Sequence, residues 1–177
     1  MSVGAPKSGT ELNARAIFKA AGLSYKDLAK AEYLPFGESV ELIKNRQLDA
    51  TLQSAGLGVA SIRDLAASVP ITVVSIPADV VEKAGAPFVK NIIPAKTYEG
   101  QTEPVETAAV LNYLVTREGV SDELAYQMTK SIYDDLSGLV AAHAAAKAIK
   151  LENATQGMPI PLHPGADRYL KEKGVSK

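Results

Sequence analysis

Cysteine and tryptophan are absent from the 177 residues, and histidine occurs only twice. The lack of cysteine excludes disulfide bonds, thiolate nucleophiles and cysteine-ligated metals. The two histidines, His143 and His163, are far apart and have no clustered carboxylates, so we expect no metal and no other cofactor. His163 lies within Pro161–Gly165, where tethering of the backbone is a better interpretation than proton transfer. No catalytic constellation is visible, and we expect no enzyme.

Strong net charge and long apolar runs are lacking too. The net charge is −1 and the isoelectric point is about 6.1, so no long-range field would attract nucleic acid or an acidic membrane. No apolar run reaches the roughly 18 residues of a membrane span. No signal peptide is visible at Met1, and we expect either a cytoplasmic protein or a mature or truncated form of an exported one.

Strand-like and helix-like segments alternate along residues 1 to 98. The clearest strand is residues 69–77, a β-branched run bounded by prolines, which is typical of a sheet covered on both faces. The alternation predicts an α/β fold with a mostly parallel sheet and helices on both faces. Its five strands are expected at residues 2–5, 31–36, 49–55, 69–77 and 91–98.

The second part of the sequence has a different pattern. Ser121 is expected to cap a long helix that runs to about residue 147, with a kink at Gly138. Turn residues dominate the segment before residue 105, which is expected to be a hinge. The predicted organisation is therefore an α/β domain at residues 1–98, a hinge at residues 99–104 and a second, more helical part at residues 105–177.

The loop from Gly4 to Glu11 is the first candidate binding site. A short strand ends there and a helix begins near Thr10, so unpaired amides and the hydroxyls of Ser8 and Thr10 could hold a carboxylate or phosphate. Gly9 would let a ligand approach the backbone, and Lys7 adds a positive charge. A structural alternative is that Ser8 and Glu11 simply form a capping box.

A nucleotide-binding P-loop is excluded at the same place. Gly4 and Gly9 have the P-loop spacing, but Thr10 and Glu11 stand where that motif needs lysine followed by serine or threonine. Lys7 lies inside the loop and cannot be assumed to replace the missing lysine.

A second loop follows the third predicted strand. Its candidate ligand-binding residues are Ser54, Ala55, Gly56 and Leu57, which would face the first loop across a crevice at the ends of the parallel strands. Taken by itself, this loop is better interpreted as an ordinary turn that needs glycine for its backbone angles. Tyr98 is the tyrosine most expected to approach a ligand.

Five motifs occur in order along the chain: Val3–Glu11, Glu38–Asn45, Leu48–Ala50, Thr97–Gln101 and Ile160–Ala166. Together they resemble the TAXI family, the solute-binding subunits of tripartite ATP-independent periplasmic (TRAP) transporters. The resemblance runs along the whole chain in the same order. One departure is Lys7, where that family usually has a small residue.

The resemblance implies a two-lobed periplasmic binding protein of type II that delivers its solute to TRAP membrane permease subunits. The solute would be a small anion such as glutamate, glutamine or another carboxylate. Residues 8–10 and 54–57 would match the family's ligand contacts. On this interpretation residues 1–98 are the second lobe, residues 105–177 are the C-terminal portion of an incomplete first lobe, and the location is periplasmic.

An incomplete lobe would expose apolar surface and favour self-association. The alternatives are therefore a self-associating structural fragment with little ligand binding or, less favoured, an unrecognised enzyme.

Overall fold

The computed structural model describes residues 1–175. The chain divides into two compact units, Met1–Leu111 and Asn112–Lys177. Three short 3-10 segments, at Tyr25–Asp27, Ala144–Ala148 and Leu151–Asn153, accompany the main elements. The helices and strands are α1 Gly9–Ala20, α2 Phe36–Lys44, α3 Ala60–Ser68, α4 Ala78–Ala84, β1 Phe88–Ile93, β2 Val105–Val110, α5 Asp122–Asp134, α6 Leu136–Ala142 and α7 Pro164–Glu172.

The prediction of an α/β fold with a mostly parallel five-stranded sheet is wrong. Helices account for 44% of the chain and strands for 9%, and the sheet of the described residues is the antiparallel pair β1–β2. Among residues 1–175, parallel pairing is limited to two isolated bridges, from Ser2 to Glu32 and from Ser2 to Thr51. Three of the five expected strands are thereby reduced to single bridging residues.

The two remaining strand predictions fail for different physical reasons. Residues 69–77 form no strand, because no helix covers both of their faces: the side chain of Val74 is 79% exposed. Within this run, only Ile76 donates a backbone hydrogen bond to β2, at 3.0 Å to the oxygen of Glu106. The fifth strand lies earlier, at β1, and its chain turns back after a short connection, which permits antiparallel pairing but not a parallel crossover.

The first unit is organised around Met1–Val3. The amide of Ser2 donates to the oxygen of Ala50 at 2.8 Å, and the amide of Val3 donates to the oxygen of Glu32 at 2.9 Å. The hydroxyl of Ser39 in α2 donates to that of Ser2 at 2.7 Å, and both residues are fully buried. Backbone bonds on both sides and a polar contact from α2 therefore fix this segment, which leads directly into the first candidate loop.

The second unit is built mainly from α5 and α7. The two helices meet closely at Gly165, where an added Cβ atom would lie 1.9 Å from the oxygen of Asp122. Tyr169 is buried, its ring stacked on that of Tyr133 and meeting the edge of Tyr126. These ring contacts supply apolar burial that a short helix pair otherwise lacks.

The single long helix expected from Ser121 to about residue 147 is interrupted. Ser121 caps α5 as predicted, accepting from the amide of Leu124 at 3.2 Å. The break falls at Asp135 rather than at Gly138, because the Asp135 carboxylate caps α6 by accepting from the amide of Gly138 at 3.1 Å. Within residues 1–175, none of the helices combines the length and the apolar character needed to cross a membrane.

Candidate functional site

The first candidate loop ends where α1 begins. Ser8 has extended backbone angles and its hydroxyl accepts from the amide of Glu11 at 3.2 Å, so it is the N-cap of the helix. The carboxylate of Glu11 does not return to the backbone of Ser8, as a capping box would require, but binds Arg15 one turn later. Ser8 therefore satisfies one of the helix's unpaired amides.

Glu11 is a buried acid, with 4% of its surface exposed. Arg15 forms an ion pair with its carboxylate, and the hydroxyl of Tyr25 donates to its backbone oxygen at 3.0 Å. Burial raises the pKa of Tyr25, and the negative charge of Glu11 adds to that shift. The hydrogen bond from Arg15 to Glu11 raises the pKa of Arg15. The charge of Glu11 is thus matched locally, which reduces its repulsion of an anion near the start of α1.

The four predicted residues of this loop differ in exposure. Lys7 and Gly9 are exposed, Ser8 is half-buried and Thr10 is buried. Gly4 has a φ of +100°, and an added Cβ atom there would come within 2.7 Å of Cγ2 of Thr10. Gly4 therefore makes room for Thr10 to turn inward, and the accessible part of the loop is Lys7, Ser8 and Gly9.

The second candidate loop follows a segment that pairs with the segment before the first candidate loop. Ser2 and Thr51 form a parallel bridge, so the two segments continue in the same direction. The side-chain Nδ2 of Asn13 in α1 donates to the hydroxyl of Ser54 at 2.9 Å, which joins the second loop to the first helix. Ser54 is half-buried, whereas residues 55–57 are exposed. The structure thus brings Ser54 to α1, one turn beyond the cap.

Two polar atoms next to the second loop are buried without a hydrogen-bond partner among the described residues. They are Oγ1 of Thr51 and Nε2 of Gln53. The opposite end of the Gln53 side chain is held, because its Oε1 accepts from the hydroxyl of Ser61 at 2.6 Å. Nearly all buried polar groups in proteins are paired, and exceptions point to a missing water, ion or ligand.

Asn13, Thr51 and Gln53 were not among the ligand-binding residues predicted from the sequence. The position of Asn13 carried a usable signal, since it lies four residues after Gly9 and therefore on the same helix face. Thr51 and Gln53 lay inside a predicted strand, where alternation alone does not reveal whether a polar side chain finds a partner.

Tyr98 is not brought together with the other predicted residues. Its ring is buried, with 8% exposed, and it lines an open cleft of about 730 Å³ between α3 and the turn at residues 96–102. None of the other predicted site residues lines this cleft. The Gln101 side chain closes the turn, its Oε1 accepting from the amide of Tyr98 at 3.4 Å and its Nε2 donating to the oxygen of Glu103 at 2.9 Å.

Neither histidine forms part of a site. His163 caps α7 through Nδ1, which accepts from the amide of Gly165 at 3.2 Å, and its Nε2 lies 3.1 Å from the oxygen of Val120. Its tethering of the backbone agrees with the sequence interpretation. His143 caps the segment Ala144–Ala148 by accepting from the amide of Ala145. In the part of the chain that the structure describes, no group of three or more histidine, aspartate or glutamate residues could hold a metal ion.

The sequence profile of the NMT1-like family matches residues 1–174. The chain belongs to the NMT1-like family. This is a periplasmic-binding-like family of binding or receptor proteins rather than an enzyme family. Membership suggests solute binding, interaction with a transporter and an extracytoplasmic location. In this NMT1-like chain the two loops beside α1 provide the polar surface on which such binding can be considered.

Proposed function

We propose that this chain is a solute-binding component of a TRAP transporter of the TAXI type. It captures a small carboxylate or an acidic amino acid in the periplasm and delivers it to the membrane permease subunits. The hydrogen bond between Asn13 and Ser54, 2.9 Å long, carries the proposal, because it joins the second candidate loop to the helix that begins in the first candidate loop. Membership of a periplasmic-binding-like family supplies the transport context.

The start of α1 suits an anionic group. Unpaired amides in the first turn of a helix carry partial positive charge and bind carboxylates or phosphates. Gly9 has no atom within 4 Å of the position of an added Cβ, so the space beside its backbone is open. Lys7 lies next to it with an exposed side chain and a φ of +59°, a left-handed conformation uncommon for lysine. In this proposal the ligand carboxylate lies against Ser8 and Gly9, with Lys7 as its counter-charge.

The second loop supplies the other polar contacts in this proposal. The hydroxyl of Ser54 and the backbone at residues 55–57 face the ligand. The unpartnered atoms of Thr51 and Gln53 lie directly before this loop, and a bound solute or its water shell satisfies them. A hydroxyl and a carboxamide favour a solute with several oxygen atoms, as in a dicarboxylate or an acidic amino acid.

Alanine substitution of Ser8 tests the site against a matched control at Ser121. Both serines cap a helix by accepting an amide hydrogen bond at 3.2 Å, and each substitution is expected to cost about 1 kcal/mol of folding stability. Only Ser8→Ala should also weaken binding of glutamate, glutamine or succinate in calorimetry, by about tenfold for one hydrogen bond to a charged group. Equal affinities in the two variants would show that the loop assignment is wrong.

Self-association is the second candidate, and the apolar side chains of Leu114 and Val115 favour it. They are 68% and 67% exposed, and they adjoin along the chain. Sedimentation at several concentrations should show a dimer that dissociates when both are replaced by serine. A monomer at every concentration would remove this candidate and leave the solute-binding proposal untouched.

A further inference from the structure

The open cleft between α3 and the turn at residues 96–102 has no role in the proposed solute site. Its lining includes Arg63 and Lys96, both exposed, and the buried ring of Tyr98. Its volume of about 730 Å³ lies within the range of about 300–1,000 Å³ that small-molecule sites occupy. The cleft is therefore large enough for a ligand of a few to a few dozen atoms.

Only one of the charged side chains that line the cleft forms an ion pair with another described residue. The carboxylate of Asp64 is bound by Lys44 at 2.6 Å, whereas Arg63, Lys96 and Glu99 have no ion-pair partner within residues 1–175. The unpaired groups thus contain one more positive than negative charge. Two unpaired cations on one concave surface attract an anion more strongly than they would on a flat one, because the low-dielectric walls focus the field.

The hydroxyl of Tyr98 adds a polar group of a different kind. The residue is more than nine-tenths buried, yet its hydroxyl makes no hydrogen bond to the described residues. That oxygen is not among the fully enclosed unpartnered atoms, so it is partly exposed, and the residue that carries it lines the cleft. A tyrosine held by its ring with a free hydroxyl at the surface is preorganised to donate to an oxyanion.

The turn that carries Tyr98 is closed by hydrogen bonds. The amide of Lys96 donates to the oxygen of Gln101 at 2.9 Å, and the Gln101 side chain bridges the turn to Glu103. Lys96 adopts a φ of +63°, a conformation that costs energy for a residue with a Cβ atom. Strained residues of this kind are concentrated where a backbone is held in place for binding.

We propose that this cleft is a second binding site, for a small oxyanion, in which Arg63 and Lys96 provide the counter-charge and the hydroxyl of Tyr98 donates a hydrogen bond. The site shares no residue with the loops beside α1, and it stands whether or not those loops bind a solute. Carboxylate and phosphate groups have the chemistry that these donors recognise, since both accept charge-assisted hydrogen bonds.

Titration of the whole chain, followed by amide NMR signals, tests the proposal with inorganic phosphate and with succinate as separate probes. Either probe should shift the amides of residues 60–67 and 96–102. Arg63→Gln and Lys96→Gln should each weaken binding about tenfold, the effect expected when one charge-assisted hydrogen bond is lost. Tyr98→Phe should also weaken it by about tenfold, because the acceptor of the lost hydrogen bond is charged.

Arg46→Gln is the matched control, because Arg46 is an exposed arginine at the end of α2 that does not line the cleft. Unchanged binding in this variant, together with losses at Arg63 and Lys96, supports the site. Equal losses in all three variants would overturn it, since unspecific attraction of the anion by any exposed cation would then explain the binding. Shifts confined to residues 7–13 and 53–57 would also overturn it while supporting the loops beside α1, and no shift with either probe would overturn it outright.

Discussion

Each of the two units of the chain is stabilised internally, and the kind of contact differs between them. In Met1–Leu111 the central segment is fixed by polar bonds between residues far apart in sequence, such as the hydroxyl pair of Ser2 and Ser39. In Asn112–Lys177 two helices meet through aromatic rings, with the centroid of Tyr169 5.7 Å from that of Tyr126 and 6.0 Å from that of Tyr133.

This difference has a functional meaning. A unit assembled by polar bonds can leave some polar atoms unpaired near its surface, and within the described residues the first unit contains both unpartnered buried atoms, on Thr51 and Gln53, and the cleft beside Tyr98. In the second unit the tyrosine rings fill the space between α5 and α7. We therefore expect substitutions in the first unit to affect ligand binding and those in the second to affect stability alone.

The largest effect is expected from Gly165→Ala. The added Cβ atom would lie 1.9 Å from the oxygen of Asp122, and since this oxygen belongs to the backbone, α5 and α7 must separate. The free energy of unfolding of the second unit should fall by at least about 3 kcal/mol in urea titrations followed by circular dichroism.

Gly37→Ala is the control for that experiment, because Gly37 lies in α2 with nothing within 4 Å of an added Cβ atom. It should be neutral or stabilising by up to about 1 kcal/mol. A loss below about 1 kcal/mol in Gly165→Ala would mean that the close helix crossing does not hold the second unit together.

A smaller effect is expected from Gly4→Ala in the first unit. The substitution meets both an unfavourable φ of +100° and a contact of 2.7 Å with the side chain of Thr10, and it should cost about 2–3 kcal/mol. Gly22→Ala separates the two causes, since Gly22 has a φ of +76° but open space around an added Cβ atom. If unfolding experiments give equal losses for both variants, the packing of Thr10 against Gly4 contributes nothing.

The smallest expected effect is the loss of folding stability of the second unit at alkaline pH. Burial raises the pKa of Tyr169 and of Tyr133, and the hydrogen bond to Glu172 raises that of Tyr126. Phenols of the unfolded chain ionise near pH 10, whereas these phenols in the folded chain ionise only at higher pH. Their contribution to the free energy of unfolding is therefore fully present below about pH 10. It is lost as the pH rises through their raised pKa values. Urea titrations across this range should show the second unit weakening first.

Tyr169→Phe is the control for the alkaline experiment, because it keeps the ring contacts and removes one titrating group. Its stability should fall less steeply above pH 10 than that of the parent chain. The same slope in both proteins would show that burial of this phenol does not couple to folding.

Local signals predicted the starts of two helices but not the sheet. Ser121 was predicted as a cap and Ser8 as a cap in the structural alternative to the binding loop, and both cap their helices, although the capping box with Glu11 does not form. The five-stranded sheet failed because strand formation depends on partners and cover elsewhere in the chain. Residues 69–77 have strong strand propensity, yet nothing covers both faces of the run, and propensity alone cannot report that.

The candidate site shows the same limit. Ser8 and Ser54 were selected from their own loops, but the contact of Ser54 with Asn13 joins residues 41 positions apart, and no local pattern encodes it. The grouping of Arg63 with Lys96 across the cleft likewise depends on how α3 lies against the turn. Sequence reasoning therefore nominated single residues, whereas their combination required the fold.

The corner between α5 and α6 has a consequence for how this chain can vary. Asp135 ends one helix and caps the next, and a Cβ atom at Gly138 would lie 2.3 Å from the Asp135 carboxylate. Any side chain at position 138 displaces the group that starts α6, unless position 135 changes with it. Substitutions at the two positions are therefore coupled. A library that randomises both together should recover more folded sequences than one that randomises position 138 alone.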